Sequence, residues 1–324
     1  MIKISGISVL GLTMTVAINL HFLSQAKVNY SFPNSPFSTT NTSATPSPNK
    51  IENPPNTSAA NPATQEENEK FQQIIENATA QQLHHKSMPD IIQAIANQFI
   101  GTPYQAGLLD KSKAETLVVT LNKFDCVLFV ETVLAMARGI AMQDYSYEAF
   151  RDRIIEQRYE NGELNGYCSR LHYLSGWIDD NQKRGIVENI TVTLGGVPLN
   201  KQLNFMSTHR QSYPQLVDSE GNYQCILEME AKLNHLTINY IPTSGIPQIY
   251  DRLQPGDIIG VATDIPGLDV THTGLVYRQI DGNIGLIHAS PAGSVRVARD
   301  LQQYVGNVKH SVGIIVTRPI DSRI

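Results

Sequence analysis

The sequence predicts an α+β domain that follows a targeting segment and a tether. Helical patterns come first along the chain, and short β-branched runs separated by Gly, Asp or Pro come last, which is the order expected for helices packed on an antiparallel sheet. The chain has 324 residues, of which 41% are hydrophobic and 17% charged, so it can bury a large core and is not a disordered, collagen-like or polytopic membrane protein. Its net charge of -5, without a Lys/Arg stripe, argues against nucleic acid as a partner.

Residues 1–26 are predicted to be a signal peptide. Lys3 gives a short basic start, the run from 4 to 23 is apolar, and Ser24-Gln25-Ala26 offers the small residues that a signal peptidase reads. Several polar side chains in the run make it a poor lipid-facing helix, although a retained membrane anchor is the alternative. We therefore expect a secreted or periplasmic protein of the cell envelope, with no integral membrane domain beyond this segment.

Residues 27–64 are predicted to be a disordered tether. Ser, Thr, Asn and Pro dominate this stretch, and such a composition has too few large apolar side chains to offset the entropy lost on ordering. The folded part is therefore expected to span residues 65–324 as a single domain.

Five helices are predicted in the folded part from apolar residues that recur at helical spacing. They are Glu66–Leu83, Pro89–Phe99, Cys126–Met142, Tyr147–Tyr159 and Ile226–Leu236. The third is apolar around most of its circumference, which is typical of a central buried helix. The stretch 189–221 is rich in Gly, Asn, Ser and Pro and is predicted to form long loops.

Five short strands are predicted after these helices from their β-branched composition. They are Asp257–Ala262, Thr273–Arg278, Ile284–His288, Ser294–Ala298 and Val312–Thr317. Asp281-Gly282-Asn283 separates the second strand from the third and predicts a hairpin. These two strands are therefore expected to be antiparallel neighbours.

Cys126 is the candidate nucleophile. Asp125 is a good N-cap, so Cys126 falls on the first turn of the buried helix, where free backbone amides and the helix dipole favour a thiolate. The same amides could stabilise an oxyanion. The alternative is a small buried hydrophobic residue. The chain has three cysteines, so at least one thiol is expected to be free, and Cys168 and Cys225 are predicted to be packing residues.

His272 and His288 are the candidate base and the group that orients it. His272 begins one strand of the predicted hairpin and His288 ends the next, so their imidazoles are expected to meet. Each histidine taken alone is more often a satisfied structural residue, and it is their pairing across one predicted hairpin that favours the catalytic interpretation. The chain lacks the His-Glu-x-x-His, Gly-x-Ser-x-Gly, Walker and dinucleotide signatures, and we expect neither a metal nor a cofactor.

The sequence resembles the NlpC/P60 superfamily of papain-like cell-wall hydrolases, and within it the N-acetylmuramoyl-L-alanine amidase-like branch. The likeness covers residues 88–318. The matching stretches are Gly101-Thr102-Pro103-Tyr104, Glu115-Thr116-Leu117, Phe124-Asp125-Cys126-Val127, Phe129-Val130-Glu131-Thr132, Ser169-Arg170-Leu171-His172-Tyr173, Trp177-Ile178-Asp179-Asp180-Asn181, Leu253-Gln254-Pro255-Gly256-Asp257, His272-Thr273-Gly274 and Ile287-His288-Ala289-Ser290.

This resemblance implies a papain-like fold, with the central Cys helix packed on a C-terminal antiparallel sheet or half-barrel. It implies Cys126 as nucleophile, His272 as base and His288 as orienting residue. Substrate contacts are expected from four residues, namely Tyr104, Asp125, Arg170 and His172. The implied substrate is bacterial peptidoglycan or its muropeptides, cut at an amide of the stem peptide through an acyl-enzyme. We expect a monomer.

Several alternatives stay open at this point. The amide could be the one between the lactyl group and L-alanine, as in the branch name, or the one between D-glutamate and the diamino acid, as in much of the superfamily. The chain could instead be a non-catalytic wall-binding protein of the same fold. An acyltransferase, in which an amine replaces water, is the third class.

Overall fold

The computed structural model describes residues 64–323. The predicted signal peptide 1–26 and the predicted tether, apart from Thr64, lie outside the described residues. The α-helices are α1 Gln65–Ala80, α2 Met88–Asn97, α3 Cys126–Ala141, α4 Tyr147–Arg158, α5 Leu174–Lys183, α6 Phe205–Thr208, α7 Pro214–Val217, α8 Glu220–Leu233 and α9 Leu301–Asn307. The strands are β1 Val187–Asn189, β2 Val197–Pro198, β3 Asn239–Pro242, β4 Ile258–Thr263, β5 Val270–Arg278, β6 Ile284–Ala289, β7 Val295–Ala298 and β8 Ser311–Pro319.

The predicted α+β order is confirmed. Each predicted helix and each predicted strand is present, with its ends shifted by a few residues. The prediction of long loops over 189–221 is wrong in detail, because that stretch carries β2, α6 and α7. These elements are only two to four residues long, and β2 forms only by pairing with β3. No local period of hydrophobic residues therefore predicts them.

Helix starts follow the capping residues that the sequence supplies. Thr64 and Glu67 form a reciprocal capping box at the start of α1. Ser87 accepts from the backbone N–H of Asp90 at the start of α2, and Asp125 caps α3 in the same manner. Each cap satisfies amides that have no partner within the helix.

The strands form one sheet within the described residues. Its order is β2-β3-β8-β4-β5-β6-β7, β1 also pairs with β8, and the paired strands are antiparallel. The sheet is open, with β2 and β7 at its ends. The predicted β5–β6 hairpin is present, and Gly282 takes a φ of +87° at its tip, a value that glycine adopts at no steric cost.

Both faces of the sheet are buried. On β6, Ile287 belongs to the large core that α1–α5 cover, whereas Leu286 belongs to a second core. Side chains alternate between faces along a strand, so odd and even positions of β6 serve different cores. Leu301 and Val305 of α9 close the second core.

Helix α3 lies at the centre of the large core, as its sequence predicts. Of its 16 residues, 13 are buried. They include Glu131, whose carboxylate lies 2.7 Å from the guanidinium of Arg158, and this pairing offsets the cost of burying both charges. The helix is therefore fixed along its length, and so is the position of its first residue.

Cys168 and Cys225 form a disulfide, so the prediction that they are packing residues is wrong. The bond joins the loop before α5 to α8, across a sequence separation of 57 residues. Their Cα atoms lie 5.9 Å apart, a separation that only the tertiary fold creates. Cys126 is the free cysteine of the described chain.

In the part of the chain from 64 to 323, no helix has both the length and the apolar composition needed to cross a bilayer.

Candidate active site

Cys126 is the first residue of α3. The Asp125 carboxylate accepts from the backbone N–H of Leu128 at 2.9 Å and fixes this end of the helix. The backbone N–H groups of Thr273 and Val127 are near enough to the Cys126 sulfur to favour its ionised form. Because Thr273 belongs to β5, its amide places the sulfur near the strand that carries His272.

Burial raises the pKa of the Cys126 thiol to about 12, and the negative charge of Asp125 adds to the rise. The expectation of a lowered pKa is wrong for the free protein, because closely packed protein atoms outweigh the amides at the helix start. Burial also raises the pKa of Asp125, to about 6. Near neutral pH the sulfur is therefore a thiol beside a carboxylate.

His272 and His288 meet as the hairpin predicts. Nε2 of His272 lies 2.8 Å from Nδ1 of His288, and the two rings stand edge to face at 4.9 Å. Both side chains are buried, with 6% and 2% of their surfaces exposed. They lie on the sheet face that α9 covers, since His272 pairs with Val261 of the second core and His288 follows Leu286 by two residues.

Gly274 makes this approach possible. A Cβ atom at Gly274 would lie 2.9 Å from Cβ of His288 and 2.9 Å from the carbonyl oxygen of Ile287. Any larger residue would push β6 or the His288 side chain away. The His272-Thr273-Gly274 motif therefore supplies both an imidazole and the space that its partner occupies.

Both imidazoles are neutral. Burial lowers the pKa of His272 to about 4, and the pKa of His288 is lowered further by burial, by the charge that His272 would carry if protonated, and by the charge of Arg296. When Nδ1 of His288 accepts a hydrogen bond, His272 donates from Nε2, and Nδ1 of His272 is left without a proton. A ring in this tautomer can accept a proton at Nδ1.

Tyr304 is a member of the site that the sequence reasoning missed. Its hydroxyl lies 3.4 Å from Nδ1 of His288, and the two rings are 4.6 Å apart. The nearby Cys126 contributes to the upward shift of the Tyr304 pKa, after burial. Tyr304 lies in α9, a helix of seven residues for which the sequence offered no motif.

Comparison with known proteins gives the family. The model of a family described as AmiA-like, N-acetylmuramoyl-L-alanine amidase-like, matches residues 94–314. The chain belongs to this family. An N-acetylmuramoyl-L-alanine amidase from Bacteroides uniformis is 30% identical, with 72% of this chain and 99% of that chain covered and a TM-score of 0.67.

A protein from Legionella pneumophila shares the fold at 22% identity, with 79% of this chain and 95% of that chain covered and a TM-score of 0.61. No curated protein sequence matches the chain.

Two of the four residues predicted to contact substrate lie beside Cys126. Asp125 precedes it, and Tyr104 is half-buried near it, where burial and the charges of Cys126 and Asp125 raise the tyrosine pKa to about 12. The backbone N–H of Tyr104 donates to the carbonyl oxygen of Gly293 at 2.8 Å. This bond ties the Tyr104 segment to the β6–β7 turn in the amidase-like fold.

Arg170 and His172 have other partners. The Arg170 guanidinium lies 2.8 Å from the carboxylate of Asp110 and 3.7 Å from that of Glu115, and it is 4% exposed. Nε2 of His172 donates to the carbonyl oxygen of Tyr167 at 2.9 Å, and burial lowers the pKa of His172 to about 3. None of their hydrogen bonds reaches the catalytic candidates, and their contact with substrate stays a prediction.

Within residues 64–323, no group of three or more His, Cys, Asp or Glu side chains is placed to hold a metal ion.

Proposed function

We propose that this member of the amidase-like family is a cysteine-dependent peptidoglycan hydrolase, of the papain-like NlpC/P60 type, that cleaves an amide of the stem peptide. The observation that carries the proposal is the 2.8 Å contact between His272 on β5 and His288 on β6, beside the backbone amide of Thr273, which favours the ionised form of the Cys126 sulfur. A nucleophile, a base and a group that orients the base are the parts that thiol acyl transfer requires.

The first half of the reaction forms an acyl-enzyme. The Cys126 sulfur attacks the amide carbonyl while its proton moves to Nδ1 of His272, and the oxyanion faces the backbone amides at the start of α3. The tetrahedral adduct then breaks its C–N bond, and His272 gives the same proton to the leaving amine. The acyl group is left on sulfur as a thioester.

The second half releases the acyl group. A water molecule gives a proton to His272 and its oxygen attacks the thioester carbonyl. The C–S bond breaks, the product leaves as a carboxylic acid, and His272 returns the proton to the Cys126 sulfur. His288, held by Tyr304, keeps the ring of His272 in one tautomer through both halves.

The raised thiol pKa and the lowered His272 pKa agree with this order of events. At rest the Cys126 thiol and the His272 imidazole are both neutral, so neither holds a buried charge. The imidazolium forms only together with the oxyanion, whose negative charge compensates it. Peptidoglycan lies outside the cytoplasmic membrane, so the proposal also requires export, which the predicted signal peptide would provide.

The proposal is tested by incubating the purified protein and its Cys126→Ala variant with defined muropeptides. We expect new products from the wild type and none from the variant. Cys126→Ser is the matched control, because it keeps the size of the side chain and loses most of the nucleophilicity. Equal product from wild type and Cys126→Ala would contradict cysteine catalysis.

Mass spectrometry of the products decides which bond is cut. Release of the intact stem peptide would identify an N-acetylmuramoyl-L-alanine amidase, and release of a dipeptide fragment would identify a γ-D-glutamyl-diamino acid endopeptidase. Transfer of the acyl group to an added amine would identify an acyltransferase, and binding without turnover would identify a wall-binding protein.

A further inference from the structure

Arg296 lies beside the candidate triad and has no part in the chemistry proposed above. It is the direct cross-strand partner of His288, on the neighbouring strand β7. Residues directly opposite each other on antiparallel strands project from the same face, so Arg296 shares the face that carries both imidazoles. Unlike His288, Arg296 is exposed.

The guanidinium of Arg296 lies over the β6–β7 turn. Nη2 donates to the carbonyl oxygen of Ala292 at 3.4 Å, and it lies 4.0 Å from the place that a Cβ of Gly293 would take. The carbonyl oxygen of Gly293 also accepts a hydrogen bond from the backbone N–H of Tyr104, the residue close to Cys126. The β6–β7 turn therefore contacts both the Arg296 side chain and the Tyr104 segment beside Cys126.

No carboxylate neutralises Arg296 in the described part of the chain. Its side chain has one long hydrogen bond to a backbone oxygen and takes part in none of the ion pairs found there. Other arginines near the centre of the molecule, such as Arg158 and Arg170, are paired with acids. Arg296 thus keeps donors free for a planar anion.

Two side chains of opposite charge adjoin the candidate triad. Asp125 precedes Cys126 in the chain, and Arg296 lies opposite His288 on the neighbouring strand. Coulomb forces attract a substrate carboxylate to Arg296 and repel it from Asp125. A carboxylate of the substrate is therefore expected beside Arg296.

We propose that Arg296 binds a carboxylate of the stem peptide, so that the protein selects stem peptides whose D-glutamyl carboxyl is free over those in which it is amidated. This inference rests on the proposed function for its substrate class. The planar guanidinium suits a carboxylate, with which it can form two parallel hydrogen bonds.

The test compares kcat and KM for wild type, Arg296→Gln and Arg296→Lys on two muropeptides that differ only in that carboxyl, free or amidated. We expect Arg296→Gln to raise KM for the free acid roughly 10- to 100-fold, the range for loss of a charge-assisted hydrogen bond, and to leave KM for the amide unchanged. Arg296→Lys keeps the positive charge but lacks the two parallel donors of the guanidinium, so its KM for the free acid should lie between those of the wild type and Arg296→Gln. Arg299→Gln, an exposed arginine just beyond β7, is the matched control and should leave KM for both substrates unchanged.

An unchanged KM for the free acid in Arg296→Gln would overturn the inference. So would an equal fall of kcat on both substrates, because that result means that Arg296 acts through His288. If the wild type hydrolyses neither muropeptide, the proposed function fails. Whether Arg296 selects the free carboxyl is then decided by measuring binding. The Cys126→Ala protein is then titrated with both muropeptides, with and without Arg296→Gln. A preference for the free acid that disappears with Arg296 supports the inference, and the absence of such a preference refutes it.

Discussion

Two polar clusters, each built around buried side chains, differ in ways that suit one to proton transfer and the other to holding the fold together. The imidazole row consists of His272, His288 and Tyr304, whose polar atoms lie 2.8 and 3.4 Å apart. The arginine cluster consists of Arg170, Asp110, Glu115 and Tyr159, where the guanidinium meets two carboxylates and the tyrosine hydroxyl donates to Glu115 at 2.9 Å.

The row contains groups that can change protonation state, and the cluster contains an ion that cannot. Imidazole can take up and release a proton, whereas an arginine keeps its proton at any pH that a folded protein tolerates. In the proposed mechanism the row therefore takes a proton from the Cys126 sulfur and returns it. The arginine cluster holds together segments that are about sixty residues apart along the chain, as the bond between Arg170 and Asp110 shows.

The largest difference between the clusters should appear on replacing the base of the row. His272→Gln keeps a hydrogen-bond donor near His288 and removes the group proposed to take the thiol proton. We expect kcat on muropeptides to fall roughly a hundredfold to ten-thousandfold. The free energy of unfolding should change by no more than about 1.5 kcal/mol, the net value of one hydrogen bond.

Steady-state kinetics and urea unfolding on the same preparation check both parts of this prediction. A large loss of stability with an unchanged kcat in the folded protein would show that the row is structural.

Replacing the arginine of the other cluster should have the opposite effect. Arg170→Gln leaves the buried Glu115 carboxylate without its nearest cation, and breaking such a pair costs about 3–5 kcal/mol of folding free energy. Urea unfolding measures this loss. Glu115→Gln is the control, because the double variant should lose less than the two single variants added together.

The kinetics of Arg170→Gln decide the role that the resemblance implies for this residue. If Arg170 only holds the cluster together, KM for muropeptides should stay unchanged wherever the protein remains folded. A raised KM with unchanged stability would establish Arg170 as a substrate contact.

The contrast also explains how much the sequence could predict. The parts of the row come from local patterns: Asp125 caps a helix at Cys126, and a hairpin turn brings His272 to His288 across 16 residues. The Cys168–Cys225 bond and the contact of Tyr304 with His288 depend on how separate elements pack, and no period or motif encodes them. The direction of the Cys126 pKa shift was missed for the same reason, since burial is a property of the whole fold.

The disulfide, like the arginine cluster, should contribute to stability and not to catalysis. Cys168→Ser with Cys225→Ser opens a loop closed across 57 residues, and we expect a loss of about 2–4 kcal/mol in unfolding free energy. Activity of the folded protein should persist, because the bond lies outside the imidazole row. Differential scanning calorimetry of the double variant measures the loss. A fall in kcat at temperatures where the variant is fully folded would contradict this separation.

The smallest effect expected concerns the charge of Asp125, beside the proposed nucleophile Cys126. Asp125→Asn keeps an N-cap for α3 and removes the negative charge that helps to raise the pKa of Cys126. The carboxyl of Asp125 has its pKa raised to about 6, so the charge is present above pH 6 and lost below it. Above pH 6 the variant should therefore have the lower thiol pKa, and its Cys126 should react with iodoacetamide about tenfold faster, as for a shift of one pKa unit.

Below pH 6 the alkylation rates of wild type and Asp125→Asn should converge, because Asp125 is then protonated in the wild type as well. Mass spectrometry follows the reaction at one site, since the other two cysteines are joined in the disulfide, and Cys126→Ala gives the background. A rate ratio that stays constant from pH 5 to pH 9 would mean that Asp125 affects Cys126 through the geometry of the helix start. A ratio that rises through pH 6 would mean that its charge sets the thiol pKa, and the amino end of α3 would then be tuned by electrostatics as the imidazole row is tuned by burial.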